Sequence, residues 1–393
     1  MIKKYTAPSI FILVLMVSLG PFGDTIYAPA LPEIQRVLET SYPNVQLTIT
    51  SYLFGYAISQ ILYGPLSDKF GRKPIMLVGS LFFIASSIIC IMTNDIDTLI
   101  WARLLQGFGA AAGGVIATVA VKDAFPLKKQ GSVFAIMNIA FALAPAVGAI
   151  LGVFMQAHTI FITLLVAASF LFIKVLLFFP ETNKNLNKDA LVPKHFIENY
   201  KSVLRDHQFL VATIVLGLNI SIIYGCLIEA PRIFNNLNLD KITFLYLLII
   251  IVLAVTIGSL ICSMLSRKIS FKILINFGML LSLASGALLW NAFTQLSGAP
   301  LLMSFAFIFS LTFVGISFTV PLLTPIALEN FSNTAGVASS LMGFMQMGIA
   351  SLVTAIMTIL TISSEITLSY AFIILPLISI IIFIPYSCYF LKK

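Results

Sequence analysis

Two ionisable side chains stand well inside otherwise apolar runs of this chain, Asp24 and Arg103. A charge in hydrocarbon is costly, so an ionisable group there reads as functional by default. The chemistry open to such a pair is uptake and release of a proton at the carboxyl, with the guanidinium as its electrostatic partner. At about 1.5 Å of rise per helical residue, Asp24 lies roughly 22 Å from the start of its run and Arg103 about 7 Å from the start of its own. If these runs enter from opposite faces of a core about 30 Å thick, the two groups reach similar depths. The plainer alternative is a static buried pair that only orients two helices.

A second constellation is the stretch Gly64-Pro-Leu-Ser-Asp68-Lys-Phe-Gly71-Arg72-Lys73. It is a short, charged turn between two apolar runs, which makes the flanking helices adjacent and antiparallel. Asp68 can pair with Arg72 or accept hydrogen bonds from a neighbouring helix N-terminus. Gly71 permits a left-handed turn. A bare topology anchor is the alternative, since basic loops occur in any membrane protein.

Polar and aromatic residues at mid-depth are the candidates for contact with a solute. Tyr27 follows Asp24 by three and shares its helix face. Tyr52, Tyr56 and Gln60 line one face at a spacing of four, and Gln106 is one turn from Arg103. Asn138, Asn219, Tyr224 and Gln346 complete the set. Each alone reads more simply as a hydrogen bond between helices. Together, facing one cavity, they suit a small organic solute, whose pockets are mostly apolar with few polar groups. Three other charges read more simply: Asp123 as an interfacial, solvated group, Glu229 as a solvated rim residue, with a gate position and second place as proton-coupling candidate its alternative, and Lys174 as a side chain that snorkels to the headgroups.

These residues need positioning elements, and composition says which. Of 393 residues, 59% are hydrophobic and 10% charged, against roughly a quarter charged in a soluble domain. Lipid is therefore the solvent for most of the chain. Twelve apolar runs are long enough to span it: 9–30, 45–66, 74–93, 98–121, 131–154, 159–179, 208–229, 243–264, 271–292, 300–322, 334–361 and 367–390. Helices are the structure expected, because each satisfies its own backbone polar groups. Pro21, Pro29, Pro145, Pro321, Pro325 and Pro376 bend or break these helices, either as hinges or as tolerated kinks.

The net charge of +8 does not point to nucleic acid, because the basic residues sort by membrane face. Eighteen Lys and Arg fall on the side of the N-terminus: Lys3, Lys4, Lys69, Arg72, Lys73, Lys122, Lys128, Lys129, Lys184, Lys188, Lys194, Lys201, Arg205, Arg267, Lys268, Lys272, Lys392 and Lys393. Arg36, Arg232 and Lys241 make three on the other. The positive-inside rule then puts both termini in the cytoplasm. Cys90, Cys226, Cys262 and Cys388 lie in or at the ends of spans and form no Cys-x-x-Cys pair, so neither a disulfide frame nor a metal site is expected. The first run is too long for a secretory signal. His158, His195 and His207 have no partner pattern, and no phosphate loop or paired carboxylates are present. An enzyme and a cofactor are not expected.

The polar stretch Glu181 to Asp206 divides the runs six and six. The expected organisation is an N-terminal six-helix bundle over 1–180, a cytoplasmic linker over 181–207 and a C-terminal six-helix bundle over 208–393. Weak self-similarity supports two related halves: Leu66-Ser67-Asp68-Lys69 matches Leu265-Ser266-Arg267-Lys268, with Gly79 matching Gly278 at the same offset. Parallel six-helix repeats are one known transporter plan.

Five motifs carry a family resemblance. The stretch Gly64-x-x-x-Asp68-x-x-Gly71-Arg72-Lys73 resembles the loop between helices 2 and 3 of the major facilitator superfamily. Arg103-Leu-Leu-Gln-Gly107 is similar to the helix-4 motif of its proton-coupled members. Ala144-Pro145-Ala-Val-Gly148, with Gly152 a turn later, resembles the antiporter motif, with Ala144 where the fuller pattern has Gly. Asp24-x-x-Tyr27-x-Pro29 resembles the first-helix signature of drug:proton antiporters. Gly336-Val-Ala-Ser-Ser340-Leu-Met-Gly343-Phe-Met-Gln346 resembles a pattern of the Bcr/CflA subfamily, and Pro180-Glu181-Thr182 fits the superfamily.

The resemblance implies an all-α membrane protein of twelve transmembrane helices, with a central cavity that spans 1 and 4 face. It implies alternating access, with proton coupling at Asp24 and Arg103, a conformational latch at Gly64, Asp68, Gly71, Arg72 and Lys73, and a hinge at Pro145, Gly148 and Gly152. The expected partners are a small-molecule substrate, protons and the lipid bilayer of a bacterial inner membrane, with the chain acting as a monomer. Proton-coupled efflux of drugs or metabolites is the leading function. Transport of an anionic metabolite such as a carboxylate siderophore, and a non-transporting signalling or assembly role, remain alternatives.

Overall fold

The computed structural model describes residues 7–183, 186, 193–237, 241–296, 298–331, 335–360 and 363–390. Lys3, Lys4, Lys184, Lys188, Lys392 and Lys393, which enter the charge count, lie outside the described residues, as does most of the 181–192 stretch of the linker. All regular secondary structure among the described residues is helical, without a strand.

The chain opens with α1 (Ile10–Thr25), a 3₁₀ turn (Ala28–Ala30) and α2 (Leu31–Val37). Then come α3 (Tyr42–Phe70), α4 (Arg72–Met92), α5 (Ile96–Ala124), α6 (Leu127–Phe154) and α7 (Ala157–Phe178). After α8 (Pro193–Leu204) follow α9 (His207–Asn236), α10 (Lys241–Leu265), α11 (Phe271–Gln295), α12 (Gly298–Leu328), α13 (Ala335–Ile359) and α14 (Ser364–Phe390). Eleven segments, counting Ile10–Val37 as one, are long and apolar enough to cross a membrane. The twelfth spanning helix is α3. Its 29 residues give ample length, but Gln46, Thr48, Thr50, Ser51, Ser59 and Gln60 dilute its hydropathy.

The twelve apolar runs locate these helices, with two kinds of difference. First, α9 continues through Pro231 to Asn236 and α12 through Pro321 and Pro325 to Leu328. Hydropathy ends at the last apolar residue, whereas backbone hydrogen bonding does not. Second, α1 passes through Pro21 and breaks only after Thr25. Ala28, Pro29 and Ala30 form the 3₁₀ turn, and Pro32 opens α2 where a missing N–H costs nothing. Helix starts elsewhere are capped by side chains: Ser41 accepts from the Asn44 amide, Asp95 from Thr98 and Asp206 from Phe209. The Thr98 amide and hydroxyl hold the exposed Asp95 carboxyl below the usual carboxylate range.

The chain forms two compact units. One takes the described residues up to Ser202 together with Gly336–Gly348; the other takes Val203–Ala335 and the described residues from Ile349 onward. Within the first, α3 and α4 both pack on α5, α4 packs on α7, and α1 packs on α5 and α6. Within the second, α10 and α11 pack on α12, α11 on α14, and α9 on α12. The pairing of second and third on fourth, third on sixth and first on fourth thus recurs, which gives the faint sequence repeat its structural meaning.

Small residues set these contacts, as lipid offers no hydrophobic drive between helices. A Cβ on Gly55 would strike the Leu104 carbonyl, and one on Gly107 the Tyr52 carbonyl, so these two glycines let α3 and α5 meet backbone to backbone. Gly113 admits the Met16 carbonyl of α1 in the same way. Gly79 of α4 sits against Ala112 and Gly109 of α5, and its repeat partner Gly278 of α11 against Gly315 of α12. The second unit closes on an apolar core that includes Ile233, Leu289, Phe305, Phe309 and Phe372. Gly107→Ala is expected to lower the melting temperature in detergent, by an overpacking cost of about 1–3 kcal/mol. Gly348→Ala, where a Cβ meets nothing within 4 Å, is expected to leave it unchanged or raise it.

Candidate functional site

Arg103 is the largest wholly enclosed side chain among the described residues, with no solvent exposure. It lies on α5 two turns into the helix, and the close approaches at Gly107 and Gly113 bring α3 and α1 against it. Its guanidinium carbon sits 4.3 Å from the Tyr27 ring centroid and 4.4 Å from that of Tyr52. Two aromatic faces thus cover the cation, an arrangement worth about 2 kcal/mol or more per ring when desolvated. Nη1 donates to the Gly23 carbonyl at 3.3 Å and to Gln106 Oε1. Nε and Nη2 make no hydrogen bond, so the rings take much of the solvating role there.

Each ring is fixed by its own hydroxyl. Thr48 spends its proton on the Val45 carbonyl at 2.6 Å, so the Tyr27 hydroxyl, 2.8 Å from Thr48 Oγ1, is the donor to it. The Tyr52 hydroxyl donates to the Gly20 carbonyl at 2.9 Å. Gly20 and Gly23 leave the room these rings need: a Cβ at Gly20 would meet the Tyr56 ring at 2.8 Å, and one at Gly23 the Tyr52 hydroxyl at 3.2 Å. Tyr52 and Tyr56 stack with centroids 6.4 Å apart, as their spacing of four predicts.

Asp24 is buried, 3% exposed, one residue beyond the carbonyl that Arg103 holds. Arg103 thus stands next to the residue that the sequence pairs with it. The break after Thr25 lies beside this acid. Gly148 and Gly152 of α6 are packed on the break: a Cβ on Gly148 would strike the Thr25 hydroxyl, and one on Gly152 the Ile26 carbonyl. The Pro145–Gly152 motif thus braces the segment that carries Asp24 and Tyr27.

The second constellation is also assembled. Gly71 takes φ 100° between α3 and α4, the left-handed region that the sequence reserved for it. Arg72, 5% exposed, binds the Asp68 carboxylate and the Ser67 hydroxyl through Nη1 and Asp123 Oδ2 through Nε at 2.9 Å. One sequence expectation is corrected here, and one open alternative is decided in favour of the Asp68–Arg72 pair. Asp123 is an ion-pair partner of Arg72 rather than a merely solvated group. The helix N-terminus is served not by Asp68 but by Glu181, whose carboxylate accepts the Arg72 and Lys73 amides at 2.9 and 3.1 Å. An anion there is favoured by the free N–H groups and the helix dipole. Asn183 closes the group by donating to the Asp68 carbonyl at 3.1 Å.

Gly64 and Gln60 belong to the same unit as Gly336–Gly348. A Cβ on Gly343 would fall into the Gln60 amide, and Ser340 Oγ lies 3.6 Å from the Cβ position of Gly64. Tyr200 of α8 donates to the Ile61 carbonyl at 3.3 Å; burial, then the nearby Asp68 charge, pushes its phenol up to about 12, so it remains a donor at any physiological pH.

The remaining candidates divide between the two units. Gln346 is half-buried on α13, Asn138 is exposed on α6, and Tyr224 is buried on α9. Asn219 ties α9 to α12, donating to the Val215 carbonyl at 2.8 Å and accepting from Thr319 at 3.0 Å. Glu229 is not the solvated rim residue its place at the end of an apolar run suggested: it is 2% exposed, inside α9, because the helix runs on past it. Lys174 lies between the rings of Phe170 and Phe178, 5.3 and 5.2 Å away. Thr48, Ser87 and Glu181 carry roles that hydropathy does not mark. Among the described residues no cluster of His, Cys, Asp or Glu could hold a metal ion.

A helical membrane protein of two repeated six-helix units has one of the known plans of secondary transporters. The chain belongs to the Major Facilitator Superfamily, whose model matches residues 13–355. It is 30% identical to an uncharacterized MFS-type transporter, YdgK, of Bacillus subtilis, over 89% of this chain and 88% of that protein. It is 28% identical to multidrug resistance protein D of Escherichia coli, over 86% of this chain and 85% of that one. The D-xylose-proton symporter shares the fold, with a TM-score of 0.72 and 17% identity, over 94% of this chain and 96% of that structure. The family read from the motifs is thus the right one, with relatives on its multidrug branch.

Arg72→Ala leaves Asp68 and Asp123, 45% and 25% exposed, without their shared cation. The expected cost is about 1–2 kcal/mol after solvent screening, read as a lower melting temperature in detergent, with Lys73→Gln close to wild type.

Proposed function

We propose that this protein is a proton-coupled efflux transporter of small organic molecules, working by alternating access in a bacterial inner membrane with both termini in the cytoplasm. The observation that carries the reading is the buried Asp24 set beside Arg103 at a break in its helix. A carboxyl so placed carries a proton at low energetic cost in one state and a charge in another, depending on how close a compensating cation stands. Of the sequence candidates here, Tyr56 and Gln60 keep some exposed aromatic and amide surface suited to amphipathic solutes, whereas Tyr27 and Tyr52 are taken up by Arg103. The name of the Escherichia coli relative supports drugs as the solute class. The Arg72 cluster, held by Asp68, Asp123 and Glu181, is the latch of the proposal, and the α6 motif packed on Thr25 and Ile26 is its hinge.

The test is transport by purified protein in proteoliposomes under an imposed pH gradient. The solutes are a lipophilic cation (ethidium), a zwitterion (norfloxacin), a neutral drug (chloramphenicol) and an anionic carboxylate (citrate). Drug movement driven by the gradient is expected, with loss of at least 90% of the driven component in Asp24→Asn and unchanged insertion and folding. Gradient-driven transport by Asp24→Asn at the wild-type rate would move the coupling role elsewhere; citrate movement alone would overturn the drug assignment.

A further inference from the structure

The cage around Arg103 contains two residues whose side-chain polar atoms are engaged by each other, the arginine and one backbone carbonyl. Gln106, fully buried, gives its Oε1 to Arg103 Nη1. Its Nε2 donates to Ser87 Oγ at 2.8 Å, and Ser87, also fully buried, donates to the Phe83 carbonyl at 2.7 Å. The proton order in this chain is fixed from one end. Because the Ser87 hydroxyl spends its proton on Phe83, it can only accept from Gln106. The Gln106 amide must therefore turn its N–H₂ to Ser87 and its oxygen to the arginine. Were the amide flipped, an N–H₂ would face the guanidinium, and a donor would be stranded beside a cation in a medium of low dielectric.

We propose that Ser87 and Gln106 are positioning residues that set the place of the Arg103 charge and so tune the proton response of Asp24, without touching the transported solute. Enclosure argues for the last point, as Arg103, Gln106 and Ser87 leave no surface for a solute to reach. The relay matters because the cation is otherwise held by contacts with little directionality. Two rings with centroids 4.3 and 4.4 Å from the guanidinium carbon let it slide; the hydrogen bonds of Nη1 to Gln106 and to the Gly23 carbonyl stop it. A slide along the rings changes its distance to Asp24, and the interaction of two charges in a medium of low dielectric is steep in that distance. The titratable groups around the Asp24 and Arg103 pair are Tyr27 just after α1, Tyr52 and Tyr56 from α3, and Cys90 from α4.

The inference rests on the proposed proton coupling for its functional meaning, so the test includes a readout that needs no transport. The protonation midpoint of Asp24 is followed in purified protein by infrared spectroscopy, as the carboxyl band that Asp24→Asn removes. The midpoint of the pH profile of gradient-driven drug transport is followed in parallel. Ser87→Ala is expected to move the infrared midpoint by roughly half a pH unit or more, Ser87→Thr to restore it, and Gln106→Leu to move it at least as far. Ser87→Ala added to Gln106→Leu is expected to have no further effect, since the relay is already cut. An unmoved infrared midpoint in Ser87→Ala, or an equal shift in the Gln106→Leu background, would overturn the relay. If Ser87→Ala does not fold, an unmoved midpoint in Gln106→Leu does so alone. A relay that shifts the infrared midpoint in a protein that moves no drug would sink the transport reading and leave the relay standing.

Discussion

One buried positive charge organises the first unit. Arg103 cannot reach water, and hydrocarbon gives it nothing, so the protein builds a solvent for it from two tyrosine faces, a glutamine and a backbone carbonyl. Each piece needs its own support. Tyr27 needs Thr48, Tyr52 needs the Gly20 carbonyl, and Gln106 needs Ser87. These supports come from α1, α3 and α4, so solvating one cation fixes three neighbours around α5. The glycines at 55, 107 and 113 follow from the same need, because the tyrosines reach the guanidinium only if the backbones close to contact.

The same logic recurs at the α3–α4 turn with opposite economy. There water is near, the carboxylates are part-exposed, and the cluster is made of formal charges rather than rings and amides. Arg72 gathers two acids, while Glu181 neutralises the start of α4. A charged network can be opened and reformed at a modest cost at a wet boundary, whereas the Arg103 cage cannot. That contrast suits a device in which the boundary cluster rearranges and the buried cage holds its charge in place.

Helix number and order were legible in the sequence because lipid imposes a length on each apolar run, and Asp24 and Arg103 were legible because charge there is rare. Gly71 could be read because a tight turn needs its conformation, and φ 100° bears that out. What was not legible follows from the same rules. The extension of α9 and α12 past their apolar runs left no hydropathy signal, and so Glu229 looked like a rim residue. Ser87 is one of several serines in apolar helices, most of which bond only to their own turn, and its link to Gln106 exists only once α4 meets α5. Glu181 lies far in sequence from the helix it caps, and a lone acid after an apolar run does not reveal which N-terminus it serves.

The central claim is that Asp24 exchanges a proton for a solute. Its most direct test is the proton count on binding: drug is added to purified, weakly buffered protein containing a pH indicator dye, and the proton released per drug bound is read. The account predicts release from the wild type that falls away as the pH drops below the Asp24 midpoint, and none from Asp24→Asn that still binds the drug. Equal release from both proteins, or binding with no release at any pH, would contradict it.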